Sequence, residues 1–347
     1  MEKIILIIYS VFVNFLSLNQ LLYYSKKIKI IKEHKSIIRW RSEKKPIIGG
    51  FLYFISFLFS FFFLILIGEI NISTDYIYLT LTIPLVFLLG LSDDLLNINS
   101  LTKLILQTII AIFLINLTQP LKIFENYYFN VIISIIFIVW IINAINMLDN
   151  IDGLVAFLTL TYAIFFLFTI SSADFFSYVF AMNLLITSLF FFYYNKFPSK
   201  IFLGDNGSYL IGLILGFFTI KIFNHYEMHF SNLFEKIISL YTFLLMPVTD
   251  SLTVIINRIL RKQSPFIGSK DHTSHLLIEK NKIKEKYIPY IFSTLALLGF
   301  ITALLFGLKK ISIFIKLFFL ICCIFVSFYL IINDYLYYNK NKNIHCK

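Results

Sequence analysis

Residues 128–170 read YFNVIISIIFIVWIINAINMLDNIDGLVAFLTLTYAIFFLFTI, two long apolar runs joined by a short polar hinge. Each run has close to the roughly 20 residues a helix needs to cross the hydrocarbon layer of a bilayer. The hinge packs Asn143, Asn146, Asp149, Asn150 and Asp152 into ten positions. Amides and carboxylates at that density are costly at a membrane boundary unless something receives them. Outward from this stretch the same alternation continues through the 347 residues, giving about 11 apolar spans. They fall near 4–24, 47–67, 76–92, 101–118, 128–145, 153–171, 175–195, 208–222, 236–257, 287–307 and 312–333.

Composition agrees. The chain is 59% hydrophobic and only 14% charged, whereas a soluble domain carries roughly a quarter charged residues. An ordinary soluble fold, a disordered chain and a disulfide-rich secreted domain are all excluded. The net charge of +11 could suit nucleic acid, but the basic residues are confined to a few intervals between apolar runs, which excludes that partner. Cys322 and Cys323 are adjacent and Cys346 is next to last, so no bridge or metal-ligand spacing is offered. The first span is too long for a cleaved signal peptide, lacks a small-residue cleavage site, and is read as retained. The expectation is an all-α, polytopic membrane protein forming one integral-membrane domain over 1–347. Its cytoplasmic loops would lie near 25–46, 92–101, 146–153, 195–208 and 258–286.

Of the 30 Lys and Arg, 23 fall on one side of the alternation, counting Lys103 there. The positive-inside bias makes that side cytoplasmic, with the N-terminus outside and the C-terminus inside. Against the trend, 12 of the 19 carboxylates lie on the same side, and they cluster. Topology and attraction to anionic lipid account for most of the lysines; the acids need another reason.

Four groups carry chemistry. Asp93 and Asp94 close the third span; adjacent carboxylates repel, which invites a cation, and oxygen ligands suit Mg²⁺. A solvated helix end would look the same. Asn143, Asn146, Asp149 and Asp152 recur every three residues and would share a face if the backbone is helical. Asp149 or Asp152 could instead cap the sixth span, although capping needs only one such residue. In Gly204-Asp205-Asn206-Gly207-Ser208, two glycines let the backbone come close to a phosphate or metal. Phe202 beside them is either interior packing or a platform for a base. The last group is Asp250, Arg258, Arg261, His272 and His275. Two arginines three apart suit a diphosphate. The histidines lack a nearby Cys or third His, so phosphate binding or proton handling fits them better than zinc.

With these groups in order, the sequence resembles the polyprenyl-phosphate N-acetylhexosamine-1-phosphate transferases, from Lys45-Pro46-Ile47-Ile48-Gly49-Gly50 to His275. Each motif alone is weak; the ordered set is specific. The family's adjacent-Asp motif matches Asp93, Asp94 and Asn97, followed by Lys103 and Gln107. Its Asn-x-x-Asn-x-x-Asp-x-x-Asp-Gly motif matches Asn143, Asn146, Asp149, Asp152 and Gly153. Its Phe-x-Gly-Asp-x-Gly-Ser motif matches Phe202 to Ser208. The histidine motif departs, with Ser274 in His272-Thr273-Ser274-His275 where a further His is common. That leaves open which histidine matters and sets the chain closer to the N-acetylglucosamine-1-phosphate transferases than to the phospho-MurNAc-pentapeptide translocase.

The resemblance implies transfer of a sugar 1-phosphate from a UDP-N-acetylhexosamine to undecaprenyl or another polyprenyl phosphate. UMP is released and a lipid-linked cell-envelope glycan begun, at the cytoplasmic face of a bacterial inner membrane. It implies Mg²⁺, with Mn²⁺ as a substitute, on Asp205 and Asp93, and Asp94 positioning or deprotonating the lipid phosphate. Asp93 and Asp94 could exchange these roles. Lys103, Arg258 and Arg261 would bind phosphate; Asn143, Asn146, Asp149 and Asp152 would serve nucleotide and sugar; Phe202 would lie under the uracil. His272 and His275 join the catalytic set, and a homodimer is compatible with the reading. Two rivals are an intramembrane Mg²⁺-dependent prenyltransferase, which would release pyrophosphate, and a lipid-linked sugar transporter. A transporter calls for half-to-half symmetry and charges deep in spans, and neither is visible.

Overall fold

The computed structural model describes residues 2–28, 31–33, 44–68, 74–170, 174–226, 230, 232–260, 262, 272–308 and 311–340. They form two compact units. The larger comprises α1 (Glu2–Ile28), α2 (Gly49–Leu66), α3 (Thr74–Leu96), α4 (Ser100–Leu117), α5 (Tyr127–Leu148), α6 (Leu154–Thr169), α7 (Phe175–Asn195) and α8 (Asp205–Tyr226). A three-residue antiparallel ladder, β1 (Ile31–Glu33) with β2 (Lys44–Pro46), joins α1 to α2. The smaller unit holds α9 (Leu233–Phe243), α10 (Leu245–Leu260), α11 (Thr273–Glu279), α12 (Ile288–Gly307) and α13 (Ile313–Lys340).

The chain is an all-α polytopic membrane protein, and each expected span falls on a helix. Among the described residues eight helices are long and apolar enough to cross a bilayer. Two more, Ser100–Asn116 and Leu154–Thr169, are apolar but shorter. The ninth expected span, 236–257, differs: it is the pair α9 and α10, bent by 86°. Pro247 lies in the first turn of α10 and has no N–H for the carbonyl of Phe243, so the hydrogen-bond ladder ends there and restarts. Pro84, inside α3, leaves that helix continuous.

Side chains close the helix ends. Asn99, Asn126 and Asp174 accept from the backbone N–H three residues on, starting α4, α5 and α7. Between helices in lipid the hydrophobic effect gives little, and close approach and polar contacts do the work. A Cβ on Gly212 would lie 2.5 Å from Cα of Ile142, so α8 lies directly on α5. A buried polar ladder joins α1, α2 and α7: Asn14 Nδ2 donates to Ser56 Oγ at 3.1 Å, and Ser56 Oγ donates to Asn183 Oδ1 at 2.9 Å. Helix α8 has 94% of its spanning stretch buried, against 33% for α1, so α8 is the axis of the larger unit.

Candidate active site

At one end of the larger unit the C-termini of α3, α5 and α7 meet the N-termini of α2, α4, α6 and α8. Asp93, Asp94, Asp149, Asp152 and Asp205 lie there. The central one is Asp93, 1% exposed in the last turns of α3. Its Oδ2 accepts from Tyr209 Oη at 2.8 Å and pairs with Lys103 Nζ at 2.6 Å, while Oδ1 accepts from the Ile98 N–H at 3.2 Å. Asn97, with φ 49°, turns the chain between α3 and α4 so that Lys103 comes back over Asp93. A buried carboxylate is tolerable only with such partners.

Asp94 Oδ2 accepts from the Asn206 N–H, at the N-terminus of α8, at 3.1 Å. Two glycines permit this. A Cβ on Gly90 would lie 2.5 Å from Asp205 O and Asn206 Cα, so α3 approaches the start of α8 at backbone contact. Gly204 has φ +82°, and a Cβ there would come within 2.8 Å of Asp94 Oδ2. Asp205 is the first residue of α8, half-buried. Asp93, Asp94 and Asp205 all act electrostatically on the Tyr209 phenol, one turn further along α8.

The amide-acid motif is divided between two conformations. Helix α5 ends at Leu148, so Asn143 and Asn146 are helical, Asp149 is the C-cap, and Asp152 lies in the turn before Gly153. The single helical face expected for all four therefore covers only the first two. Asn143 Nδ2 donates to Gln107 Oε1 at 2.6 Å and to Val139 O, clamping α5 to α4. Asn146 Oδ1 accepts from Ser208 Oγ at 3.3 Å, which joins it to the α8 terminus. Asp152 Oδ2 accepts from the Ser199 N–H at 3.0 Å, with Lys45 Nζ 4.0 Å away.

Phe202 lies inside rather than presenting an open ring. It is 2% exposed, bridges Ile47, and has Lys45 Nζ 5.2 Å from its ring centroid. Its carbonyl and that of Leu203 accept from the first two N–H groups of α2. A base could stack here only after Lys45 moved. Asn195, which sequence reasoning missed, ties the hinges: Oδ1 accepts from the Gly153 N–H and Nδ2 donates to Ile201 O. Tyr209 was also missed; its position four residues after Asp205 on one helix was the available signal.

In the smaller unit, Asp250 is 1% exposed on α10, with buried Arg258 two turns on along the same face. His272 Nδ1 lies 3.0 Å from Asp250 Oδ2, and the Thr273 N–H donates to Asp250 Oδ1 at 2.9 Å. His275 is fully buried, its ring 6.1 Å from that of His272. Arg261 lies outside the described residues.

At the opposite end of the larger unit, a cavity of about 260 Å³ opens beside Asp174 and Lys221, paired at 2.9 Å. Tyr76 and Ser177 complete that cluster, so its charges are satisfied within the unit.

The sequence signature of Glycosyl transferase family 4 matches residues 76–223, from α3 through α8. The match covers 148 of the chain's 347 residues. All the acids of the larger unit's site, with Lys103 and Tyr209, fall inside it. A "Probable undecaprenyl-phosphate N-acetylglucosaminyl 1-phosphate transferase" of Bacillus subtilis (strain 168) is 30% identical over 139 residues, 40% of this chain. The match spans 36% of that protein's length. Both findings agree with the family resemblance carried by the ordered motifs.

Proposed function

We propose that this protein transfers N-acetylhexosamine 1-phosphate from a UDP-sugar to a polyprenyl phosphate, releasing UMP, on the cytoplasmic side of a bacterial inner membrane. The observation that carries the reading is the gathering of Asp93, Asp94, Asp205 and Lys103 at the α8 terminus, within the family 4 match. The named relative supports the choice of acceptor and sugar.

Both reactants are anionic, and bringing them together needs positive charge without a loss of orientation. Lys103 supplies one cation. Asp93 holds that ammonium in place from the buried side, and Tyr209 and the Ile98 N–H hold Asp93 in turn. The positive end of the α8 dipole lies at the same spot and favours a phosphate there.

The donor set also fits Mg²⁺. It consists of hard oxygens only, and glycine at 204 lets the backbone pack closely against Asp94 Oδ2. Among the described residues no three His, Cys, Asp or Glu side chains form a closed metal cage. Mg²⁺ does not ask for one, since it takes one or two carboxylates with substrate phosphates and water. Asp205 would hold it with Asp93 or Asp94. The ion, when bound, would offset the charge that builds on the phosphates.

A phosphate monoester is already largely ionised at pH 7, its second pKa being about 6, so the attacking oxygen needs placing more than deprotonating. An oxygen of the lipid phosphate attacks the sugar-bearing phosphorus. The bond from that phosphorus to the bridging oxygen breaks, and UMP leaves with the bridging oxygen. Asn146, Asp149 and Asp152 would bind nucleotide and sugar.

The test offers purified protein undecaprenyl phosphate, Mg²⁺ and a panel of UDP-sugars. UMP formation with at least one UDP-N-acetylhexosamine is expected. Pyrophosphate release from a prenyl diphosphate, or no UMP with any donor, would overturn the reading.

A further inference from the structure

Asn206 is the second residue of α8, between Asp205 and Gly207, and its side chain is fully buried. Neither Oδ1 nor Nδ2 has a hydrogen-bond partner among the described residues. A buried amide left this way carries its whole desolvation penalty, and native chains keep such groups rarely, a bound water or ion being one reason. Packing does not require an amide here. A Cβ on Gly50 would overlap Asn206 Oδ1, so α2 carries glycine where this side chain lies. Leucine has nearly the same shape and no polar atoms to leave unmet.

The amide lies among the acids of the larger unit. Its own backbone N–H donates to Asp94 Oδ2 at 3.1 Å, and Asp205 is the preceding residue. A Cβ on Gly204 would lie 2.8 Å from Asp94 Oδ2 and 3.0 Å from Asn206 Oδ1. Both oxygens therefore border one point, close enough to each other for one water to donate to both. A water held that way gives both hydrogens to the protein and keeps its lone pairs for a cation.

Resting on the Mg²⁺-dependent transferase reading, we propose that Asn206 is a positioning residue for the divalent cation. Its Oδ1, with Asp94 Oδ2, receives the hydrogens of one water in the cation's hydration shell. Mg²⁺ bound by one or two carboxylates keeps several of its waters. Groups that orient such a shell are commonly worth about 10- to 100-fold in metal affinity. An amide suits the place because it accepts without adding a further negative charge beside Asp93, Asp94 and Asp205.

The experiment uses the full-length protein in detergent with Mn²⁺ as the probe, and compares the wild type with N206L, N206A, N206D and D205N. Mn²⁺ affinity is read by electron paramagnetic resonance, and melting is followed with and without the ion. N206L and N206A are each expected to weaken Mn²⁺ binding about 10- to 100-fold. Metal-free N206L should melt no lower than the wild type, since the unmet amide is gone. N206D keeps an acceptor in the same place and should bind Mn²⁺ at least as tightly as the wild type, while D205N should bind it most weakly. Wild-type Mn²⁺ affinity in folded N206L or N206A, or a folded N206D as weak as N206L, would overturn the role of Asn206. A wild type that binds no Mn²⁺ would overturn that role together with the cation reading. A wild type that binds Mn²⁺ yet forms no UMP from any UDP-sugar would overturn the transferase reading alone, and the Mn²⁺ affinities would still decide the role of Asn206.

Discussion

Tyr209→Phe removes a single hydroxyl and leaves the ring that packs α8. The hydroxyl donates at 2.8 Å to Oδ2 of Asp93, a carboxylate only 1% exposed. A hydrogen bond to a charged group contributes about 1.5–3 kcal/mol net. Asp93 keeps Lys103 Nζ at 2.6 Å and the Ile98 N–H at 3.2 Å after the change, so its charge stays compensated. The lower part of the range applies, about 1.5–2 kcal/mol, which corresponds to roughly 10- to 30-fold in rate if it is felt in the transition state. The assay is UMP release by Y209F in detergent, with thermal unfolding followed in parallel. Turnover should fall by that factor with KM for the UDP-sugar unchanged, and the melting temperature should drop slightly. Wild-type turnover in Y209F would refute the idea that Asp93 must be held from the α8 side to place Lys103.

Gly90→Ala would push a methyl to 2.5 Å from backbone atoms of Asp205 and Asn206. No side-chain rotation relieves that clash, so a loss of about 1–3 kcal/mol in stability and a fall in turnover are expected together in melting and UMP assays. Asn183→Leu removes the bonds to the Ser56 carbonyl, Ser56 Oγ and Ser60 inside the bundle. At about 0.6 kcal/mol for each intramembrane bond, the melting temperature should fall while turnover per folded molecule is unchanged; lost turnover at equal folding would contradict this. Asp174→Asn probes the opposite end. Burial pushes the Asp174 carboxyl up, but hydrogen bonds from Ser177 and the Lys221 ammonium outweigh it and hold the group below the usual carboxylate range. A depressed folded value means the stabilisation is complete above the ordinary carboxylate pKa of about 3.9 and is lost as pH falls through the folded value. Wild-type protein should therefore lose an increment of melting temperature below about pH 4 that D174N lacks, and identical pH profiles would refute the pairing.

The spans were legible because each is bounded by charges or amides, and eleven apolar runs in the chain match helices in position. The break between α9 and α10 was not, because 236–257 holds no polar interruption at its bend. Pro247 was the one signal, and Pro84 shows that a proline alone does not decide between a bend and a continuous helix. The acids at Asp93, Asp94 and Asp205 could be read from their place at span ends. Their partners could not, since which donors reach Asp93 depends on the close packing of α3 on α8 at Gly90. The three-residue period at Asn143 to Asp152 suggested one face, but the helix stops at Leu148 and the last two members belong to a turn. Phe202 illustrates a further limit, because a sequence cannot tell an exposed ring from one covered by Lys45.

The account depends most on the first residue of α8. Asp205→Asn keeps the size of the side chain and removes its charge, so the variant should insert and melt like the wild type while forming no measurable UMP from UDP-N-acetylhexosamine and undecaprenyl phosphate. Normal UMP formation by D205N in the same membranes would contradict the assignment of this carboxylate cluster as the reaction centre.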